Sequence, residues 1–132
     1  MEVRNPPVIV DTNALSAIAD ERDRIRELLG TAKGIAVPVI AIGEYRSGIV
    51  RSRDFLRYRQ WLDEFLLASR VLDIDESTTH RYAEVSLELR KVGKPIPTND
   101  IWIAALCRQH ELPLLSRDRH FDAVSGIQRI EW

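Results

Sequence analysis

The sequence has little of what several classes of protein require. Its one cysteine, Cys107, cannot form a disulfide within the chain, and such a composition is typical of a reducing compartment, so we expect a cytoplasmic protein. No apolar run approaches the ~20 residues of a membrane span, and the first thirteen residues contain no signal-peptide stretch. We therefore expect no association with a membrane.

Other absences narrow the chemistry. A formal net charge of −1 gives no overall attraction to nucleic acid, and the six glycines form no glycine-rich phosphate loop. No arrangement of serine, histidine and aspartate typical of a hydrolase triad is apparent. The histidines, His80, His110 and His120, show no metal-ligand spacing among themselves. His120 is a possible RNA contact because it is close to Asp118, but a surface role is the favoured interpretation.

What remains is the composition of an ordinary globular protein, with 45% hydrophobic and 30% charged residues over 132 positions. This length fits one domain, residues 1–132, and is too short for two. Short β-branched runs alternate with longer helical patterns, which is typical of βαβ units and a parallel sheet. The predicted fold class is α/β, a three-layer α/β/α sandwich with a central parallel sheet.

The predicted elements follow from hydrophobic periodicity and from boundary residues. Gly48 is expected to end one helix, Asp75 to cap another with Val92 on its buried face, and Thr98 or Asn99 to cap the last. The predicted strands are Val8–Val10, Ile35–Val37, Val71–Ile74, Pro113–Ser116 and Ile127–Ile130. The predicted helices are 14–19, 22–29, 38–47 (opened by Pro38), 53–67, 76–92 and 100–110.

Four acidic residues stand where a parallel sheet would bring them together. Asp11 directly follows the first strand, Asp118 lies two residues past the fourth, and Asp100 is in the first turn of a helix. Glu44 follows an apolar or small segment, residues 39–43, in which an ionised carboxylate is costly without a partner. Ligands bind outside the carboxyl ends of strands in open α/β sheets. If the first and fourth strands are neighbours, all four acids can converge on one cleft.

Such a cleft has a chemical use. Neighbouring carboxylates repel each other, and a hard divalent cation removes that repulsion. Mg²⁺ or Mn²⁺ prefers oxygen ligands and retains several waters, one of which can be activated to attack a phosphodiester.

Among the other acids, Asp75 is expected to be a cap and Asp73 to face away, while Asp122 stays an open candidate. Singly, Asp11 also fits a turn residue, and Asp100 a partner of the helix dipole.

Four strings of the sequence are informative together: Val-Ile-Val-Asp11-Thr12-Asn13-Ala-Leu, Glu44-Tyr-Arg-Ser-Gly48, Pro97-Thr98-Asn99-Asp100-Ile-Trp-Ile-Ala-Ala105 and Leu-Leu-Ser116-Arg117-Asp118-Arg-His120-Phe121. In this order and spacing they resemble a PIN domain, and more narrowly the VapC-type toxins of bacterial and archaeal toxin–antitoxin pairs. The resemblance covers nearly the whole chain.

The resemblance implies an endoribonuclease toxin that uses Mg²⁺, with Mn²⁺ as the other candidate. Asp11 and Asp100 would be the principal metal ligands, and Glu44 and Asp118 would complete a catalytic quartet. The partners that it implies are RNA as substrate, a second copy in a homodimer, and a VapB-type antitoxin whose C-terminal segment lies near the active site.

Further polar residues match positions that surround such sites in the family: Thr12, Asn13, Asn99 and Ser116. They could orient the acids, although capping and turn roles explain them as well. The chain also concentrates arginine, since 16 of its 19 basic residues are arginine and five fall within fourteen positions: Arg46, Arg51, Arg53, Arg57 and Arg59. This cluster fits either contacts with RNA phosphates or antitoxin carboxylates, or a solvated helix face.

Two other functions fit parts of the sequence. A phosphoacceptor receiver domain is similar in size, but it has paired acids after the first strand and a lysine after the last. Here only Asp11 follows the first strand, and no lysine follows Lys94. A PIN domain retained purely for binding is the other alternative, against which the four acids speak. The sequence does not identify the RNA or the number of metal ions.

Overall fold

The described chain consists of five short strands and the helices that connect them. The computed structural model describes residues 6–21, 23–30 and 33–132. In chain order the elements are β1 (Val8–Val10), α1 (Thr12–Ala19), α2 (Asp23–Gly30), β2 (Ile35–Pro38), α3 (Val39–Ile49), α4 (Phe55–Leu67), β3 (Arg70–Leu72), α5 (Glu76–Val92), α6 (Thr98–His110), β4 (Leu114–Leu115), a 3₁₀ helix (Arg119–Ala123) and β5 (Arg129–Ile130).

All five strands are parallel and are arranged in the order β3-β2-β1-β4-β5. The central strand β1 pairs with β4 through Ile9 and Leu114 and through Val10 and Leu115, so these strands end side by side. This confirms the expected neighbourhood of the first and fourth strands. It also excludes the receiver-domain alternative, because that fold has the order 2-1-3-4-5.

Alternate residues of the strands face two separate hydrophobic cores. Val8, Val10 and Val37 pack with α1 to α4 on one side of the sheet. Ile9 and Ala36 pack with α5, α6 and the 3₁₀ helix on the other side. Because the strands are covered on both faces, they consist of almost uninterrupted apolar residues. The predicted three-layer α/β/α sandwich is therefore confirmed.

Local sequence signals account for several helix ends. The Asp75 side chain accepts a hydrogen bond from the Thr78 amide, and the Thr78 hydroxyl accepts one from the Asp75 amide, which forms a capping box at the start of α5. At its other end Gly93 adopts φ 66°, the left-handed conformation that glycine accommodates without strain. The predicted cap and stop of this helix are both confirmed.

The expected end of α3 at Gly48 is wrong. The helix continues to Ile49, and Val50 still has helical angles of φ −59° and ψ −28°. Gly48 lies within the helix with no positive φ, so the chain makes no use of its conformational freedom there. Pro38, expected to open the helix, is the extended last residue of β2 and stands at the N-cap position.

The last long helix also begins differently. Pro97 occupies the N-cap position of α6, and no side chain caps the helix there, so neither Thr98 nor Asn99 has the expected role. Both residues are already helical, and the Asn99 side chain instead reaches Glu44 on α3.

The remaining corrections concern boundaries and one buried face. β3 is Arg70–Leu72 rather than 71–74, because its partner β2 ends at Pro38, opposite Leu72. β4 and β5 are two residues each, and the first helix begins at Thr12. Arg22, the expected start of the second helix, lies outside the described residues. Val92 is 59% exposed, whereas Leu89 in the same turn of α5 is buried, so the expected place of Val92 on the buried face is wrong. Among the described residues, no helix has the length and apolar character to cross a membrane.

Two glycine substitutions should change stability in opposite directions. Gly93→Ala should lower the free energy of unfolding by about 1 kcal/mol, because a side chain disfavours the left-handed conformation. Gly48→Ala should raise it by about 0.5–1 kcal/mol, since alanine favours a helix and the added methyl has no atom within 4 Å. Urea unfolding of both variants measures the two effects. A loss of stability in Gly48→Ala would mean that the end of α3 needs glycine.

Candidate active site

A cluster of polar residues lies at the carboxyl edge of the sheet, and its first member along the chain is Asp11, directly after β1. The residue is only 4% exposed and caps α1, with its Oδ1 accepting a hydrogen bond of 2.8 Å from the Ala14 amide. Its Oδ2 accepts a hydrogen bond from the hydroxyl of Ser116, which follows β4 and is fully buried. Thus the two adjacent strand ends together hold one buried carboxyl group.

Burial raises the pKa of the Asp11 carboxyl above its ordinary value, and the charges of Asp100 and Asp118 raise it further. The hydrogen bonds from Ser116 and Ala14 oppose this change without cancelling it. The direction of the shift reports a crowded acidic site in which the charged form of Asp11 is disfavoured.

Glu44 is held by donors from two other elements. The Thr12 hydroxyl, at the start of α1, donates a hydrogen bond of 2.6 Å to Glu44 Oε1. The side-chain amide of Asn99, at the start of α6, donates a hydrogen bond of 3.3 Å to Glu44 Oε2. Both oxygens of this partly buried carboxylate are therefore oriented by residues distant in sequence. Asn13, the remaining polar residue of that motif, is exposed.

Asp100 and Asp118 complete the cluster and enclose a histidine. His120 Nε2 lies 2.8 Å from Asp100 Oδ2, and His120 Nδ1 lies 3.4 Å from Asp118 Oδ1. Burial raises the pKa of the Asp100 carboxyl, the His120 contact lowers it, and the charges of Asp118 and Glu44 raise it. The net shift is upward. The structure therefore brings together all four acids that the strand-end argument selected.

The interpretation of His120 as a surface residue is wrong. Its side chain is 30% exposed and is located between two of the candidate acids. The 3₁₀ helix after Asp118 turns His120 inward, because the next residue, Phe121, is anchored in the second core. The only signal in the sequence was the spacing of His120, two residues after a candidate ligand.

The remaining acids considered in the sequence lie outside the cluster. Asp73 is exposed, and Asp75 is the cap of α5. Asp122 forms two hydrogen bonds with the Arg129 guanidinium, at 2.8 and 3.1 Å, and this pairing lowers the pKa of the Asp122 carboxyl. Asp122 therefore has a cationic partner of its own.

The arginine cluster is on the surface of α3, α4 and their connection. Arg46 pairs with Asp63 at 3.1 Å, and Arg57 pairs with Asp54 at 3.3 Å. In the part of the chain that the structure describes, three exposed members have no acidic partner within ion-pair distance: Arg51, Arg53 and Arg59. The Arg59 guanidinium lies over the Phe55 ring, 5.6 Å from its centroid, and all three groups keep their capacity to bind phosphates or carboxylates.

A cleft at the opposite edge of the sheet has different chemistry. There Arg108 forms a bidentate pair with Glu88, at 2.7 and 2.8 Å, and also donates to the Ser125 carbonyl oxygen. Because Arg108 and Glu88 satisfy each other, this pair offers less to a ligand than the acids of the carboxyl edge do.

The carboxyl edge has the donor set of a site for a hard cation. Asp100, Asp118 and His120 each offer one ligand atom, and these atoms lie within 4.8 Å of one another. Asp11 and Glu44 add oxygens that retain a second lone pair beside their hydrogen bonds. A divalent cation would offset the loss of solvation and the repulsion that together raise the pKa values of Asp11 and Asp100.

Comparisons with known proteins agree with this fold. A family model described as PIN domain matches residues 8–127. "Ribonuclease VapC2" of Rickettsia felis is 30% identical over 129 residues, which covers 94% of this chain and 96% of the relative. "Ribonuclease VapC4" of Mycobacterium tuberculosis is 28% identical over 132 residues, with 98% of each chain covered. The solved structure of VapBC2 from Rickettsia felis, bound to a DNA fragment from their promoter, superposes with a TM-score of 0.85 at 24% identity, covering 96% of this chain and 98% of that chain.

Removing one charge from the cluster should stabilise the protein without metal. In EDTA at neutral pH, Asp100→Asn should raise the melting temperature by a few degrees, because the penalty that raises the pKa of this carboxyl disappears. The pKa of Asp100 is higher in the folded than in the unfolded protein. The wild type therefore bears the full penalty above the folded pKa and loses it as the pH falls to about 4.

The matched control is Asp73→Asn, which neutralises an exposed acid and should leave the melting temperature unchanged. Melting curves of the three proteins between about pH 4 and pH 8 test the assignment. If Asp100 served mainly as a partner of the α6 dipole, its replacement would lower the melting temperature at neutral pH.

Proposed function

This chain belongs to the PIN domain family, and on that basis we propose that it is a metal-dependent endoribonuclease, the toxin of a VapC-type toxin–antitoxin pair. The observation that carries the proposal is the convergence of Asp11, Glu44, Asp100 and Asp118 from four separate parts of the chain. Relatives over almost the full length are named ribonucleases, which supports RNA as the substrate. The single cysteine supports the cytoplasm as the place of action.

Each acid has a role that follows from its surroundings. We assign Asp11 and Asp100 as the principal ligands of Mg²⁺ or Mn²⁺, because these two partly or fully buried carboxyls gain most from a nearby positive charge. When bound, the cation supplies Lewis-acid stabilisation of the negative charge that develops on the phosphodiester. Glu44 and Asp118 orient the attacking water, and Thr12 and Asn99 fix the direction of the Glu44 carboxylate.

The proposed protein partners are a second copy of the chain and a VapB-type antitoxin. The neighbouring solved structures of VapBC assemblies support the antitoxin. A shallow groove beside Glu44 offers a place for an extended segment, because it is lined by apolar and small residues of α3: Val39, Ile40, Gly43, Ser47 and Gly48. The exposed arginines beyond the end of α3 supply a positive surface on the same part of the molecule.

The alternative of a PIN domain that only binds predicts that the acids are dispensable. The Glu44 carboxylate, however, is oriented at both oxygens, and Asp11 is kept buried at a cost in solvation. This arrangement supports catalysis over simple binding. A cleavage assay with purified protein separates the two.

Cleavage of structured RNA should require Mg²⁺ or Mn²⁺ and stop in EDTA. Asp11→Asn and Asp100→Asn should each lower the cleavage rate by at least about a hundredfold, the scale of a lost electrostatic stabilisation of the transition state. Expression without antitoxin should arrest growth for the wild type but not for these variants. Gel assays of RNA cleavage and growth curves measure the two effects.

Asp73→Asn is the control and should cleave at the wild-type rate, since Asp73 is exposed and outside the cluster. Activity that survives removal of metal, or equal toxicity of the wild type and both site variants, would contradict a metal-dependent nuclease.

The arginine surface should contribute to binding without affecting the metal site. Replacing Arg51, Arg53 and Arg57 together by Glu should weaken binding to RNA, to the antitoxin, or to both, and should reduce the salt dependence of that binding. Metal affinity should change little. Titrations at several salt concentrations give the slope, and calorimetry with Mn²⁺ gives the metal affinity.

A triple variant with the same change in charge is the control: Arg24→Glu, Arg26→Glu and Arg90→Glu. These residues are exposed on α2 and α5, away from the cluster. Equal salt slopes for both triple variants and the wild type would assign Arg51, Arg53 and Arg57 to an ordinary solvated face.

A further inference from the structure

His120 places a ring nitrogen among the acids of the candidate site. We propose, building on the proposed function, that His120 Nε2 is itself a ligand of the divalent cation, next to Asp100. Asp118 borders the same ion and fixes the histidine ring through Nδ1. The site would then be a mixed oxygen and nitrogen site rather than an all-carboxylate one.

The distances fit this assignment. His120 Nε2 lies 2.8 Å from Asp100 Oδ2, and neighbouring ligands around an octahedral ion with bonds of about 2.1 Å are about 3 Å apart. A movement of a few tenths of an ångström therefore suffices to admit an ion between them. Nε2 is also buried and has no hydrogen bond of good geometry among the described residues. In the tautomer with its proton on Nδ1, Nε2 presents a lone pair towards Asp100, where an ion could be coordinated.

The second ring nitrogen has the partner that such a ligand needs. A histidine that binds a metal commonly donates its other ring N–H to a carboxylate, which fixes the tautomer and the ring direction. His120 Nδ1 faces Asp118 Oδ1 at 3.4 Å. Asp118 and His120, two residues apart in the chain, thus place an imidazole beside a carboxylate, as the order cation, imidazole, carboxylate requires.

The position of the ring is fixed from below. Phe121 is 1% exposed in the second core, and its ring centroid is 4.9 Å from that of His120. The Ser116 hydroxyl accepts a hydrogen bond of 3.0 Å from the Asp118 amide and also donates to Asp11. The segment that carries His120 is therefore tied both to the core and to the central acid.

A nitrogen ligand changes which cation the site prefers. Imidazole binds first-row transition ions, whereas Mg²⁺ keeps to oxygen ligands and retains its waters. His120 should therefore favour Mn²⁺ over Mg²⁺ in this chain. Without it, the remaining carboxylates would bind both ions by charge alone.

The direct test is pulsed electron paramagnetic resonance of the full chain loaded with Mn²⁺. Wild-type protein should show the ¹⁴N modulation of a coordinated imidazole, and His120→Ala should lose it. By calorimetry, His120→Ala should weaken Mn²⁺ binding by about tenfold or more, the scale for metal sites that lose a supporting group. Its Mg²⁺ affinity should change by less than about threefold, since Mg²⁺ relies on the carboxylates.

A variant with the other two histidines removed, His80→Ala with His110→Ala, is the control. His80 lies on the exposed face of α5 beside Glu76, and His110 contacts Arg70 at the end of α6. This control should keep both the ¹⁴N signal and the wild-type Mn²⁺ affinity. Circular dichroism of each variant verifies that it is folded.

Two results would overturn the proposal, and they differ in what else they remove. Mn²⁺ that binds wild-type protein without ¹⁴N modulation would exclude His120 as a ligand and leave the metal-dependent nuclease intact. Failure of the wild type to bind Mn²⁺ at all would reject both the histidine ligand and the metal dependence of the proposed function.

Discussion

Repulsion among acids in a poorly solvated cleft is the constraint on which the rest of this site depends. Asp11 is almost fully buried, and its pKa is raised by that burial and by the charges of Asp100 and Asp118. The pKa of Asp100 is raised by burial and by the charges of Asp118 and Glu44. Hydrogen-bond donors stabilise these carboxylates. Ser116 and the Ala14 backbone amide donate to Asp11, and Thr12 and Asn99 donate to Glu44. These donors come from several elements, so the acids help to fix how the helices meet the sheet.

Charged side chains are paired at one edge of the sheet and leave an excess of negative charge at the other. At the amino edge, Arg108 is saturated by Glu88 and Ser125, and this network ties α5, α6 and the chain before β5 together. At the carboxyl edge, negative charge is left in excess. A charge that is fully paired contributes to the fold alone, whereas unpaired carboxylates keep their affinity for a cation.

The sequence predicted what depends on neighbouring residues and on strand ends. The box at Asp75 and the stop at Gly93 are local, and Asp11 follows from the parallel sheet, whose strands end at one edge. The positions of Asn99 and His120 were not predictable in this way. Asn99 contacts an acid 55 positions away, and His120 is oriented by the burial of Phe121. Both depend on packing between distant segments, which no local pattern contains.

The 3₁₀ helix has a consequence for tolerance to length variation. Ser116 is hydrogen-bonded to Asp11, and Phe121 is packed in the second core, so both ends of the segment between them are fixed. Substitutions at Arg117 or Arg119, whose side chains are exposed, leave the length of this segment and its two fixed ends unchanged. One residue inserted or deleted between Asp118 and Phe121 would instead change the direction of the His120 side chain, whereas Asp11, Glu44 and Asp100 lie outside the segment and would keep their positions. Transplanting this candidate site into another scaffold therefore requires the spacing of the segment as much as its amino acids.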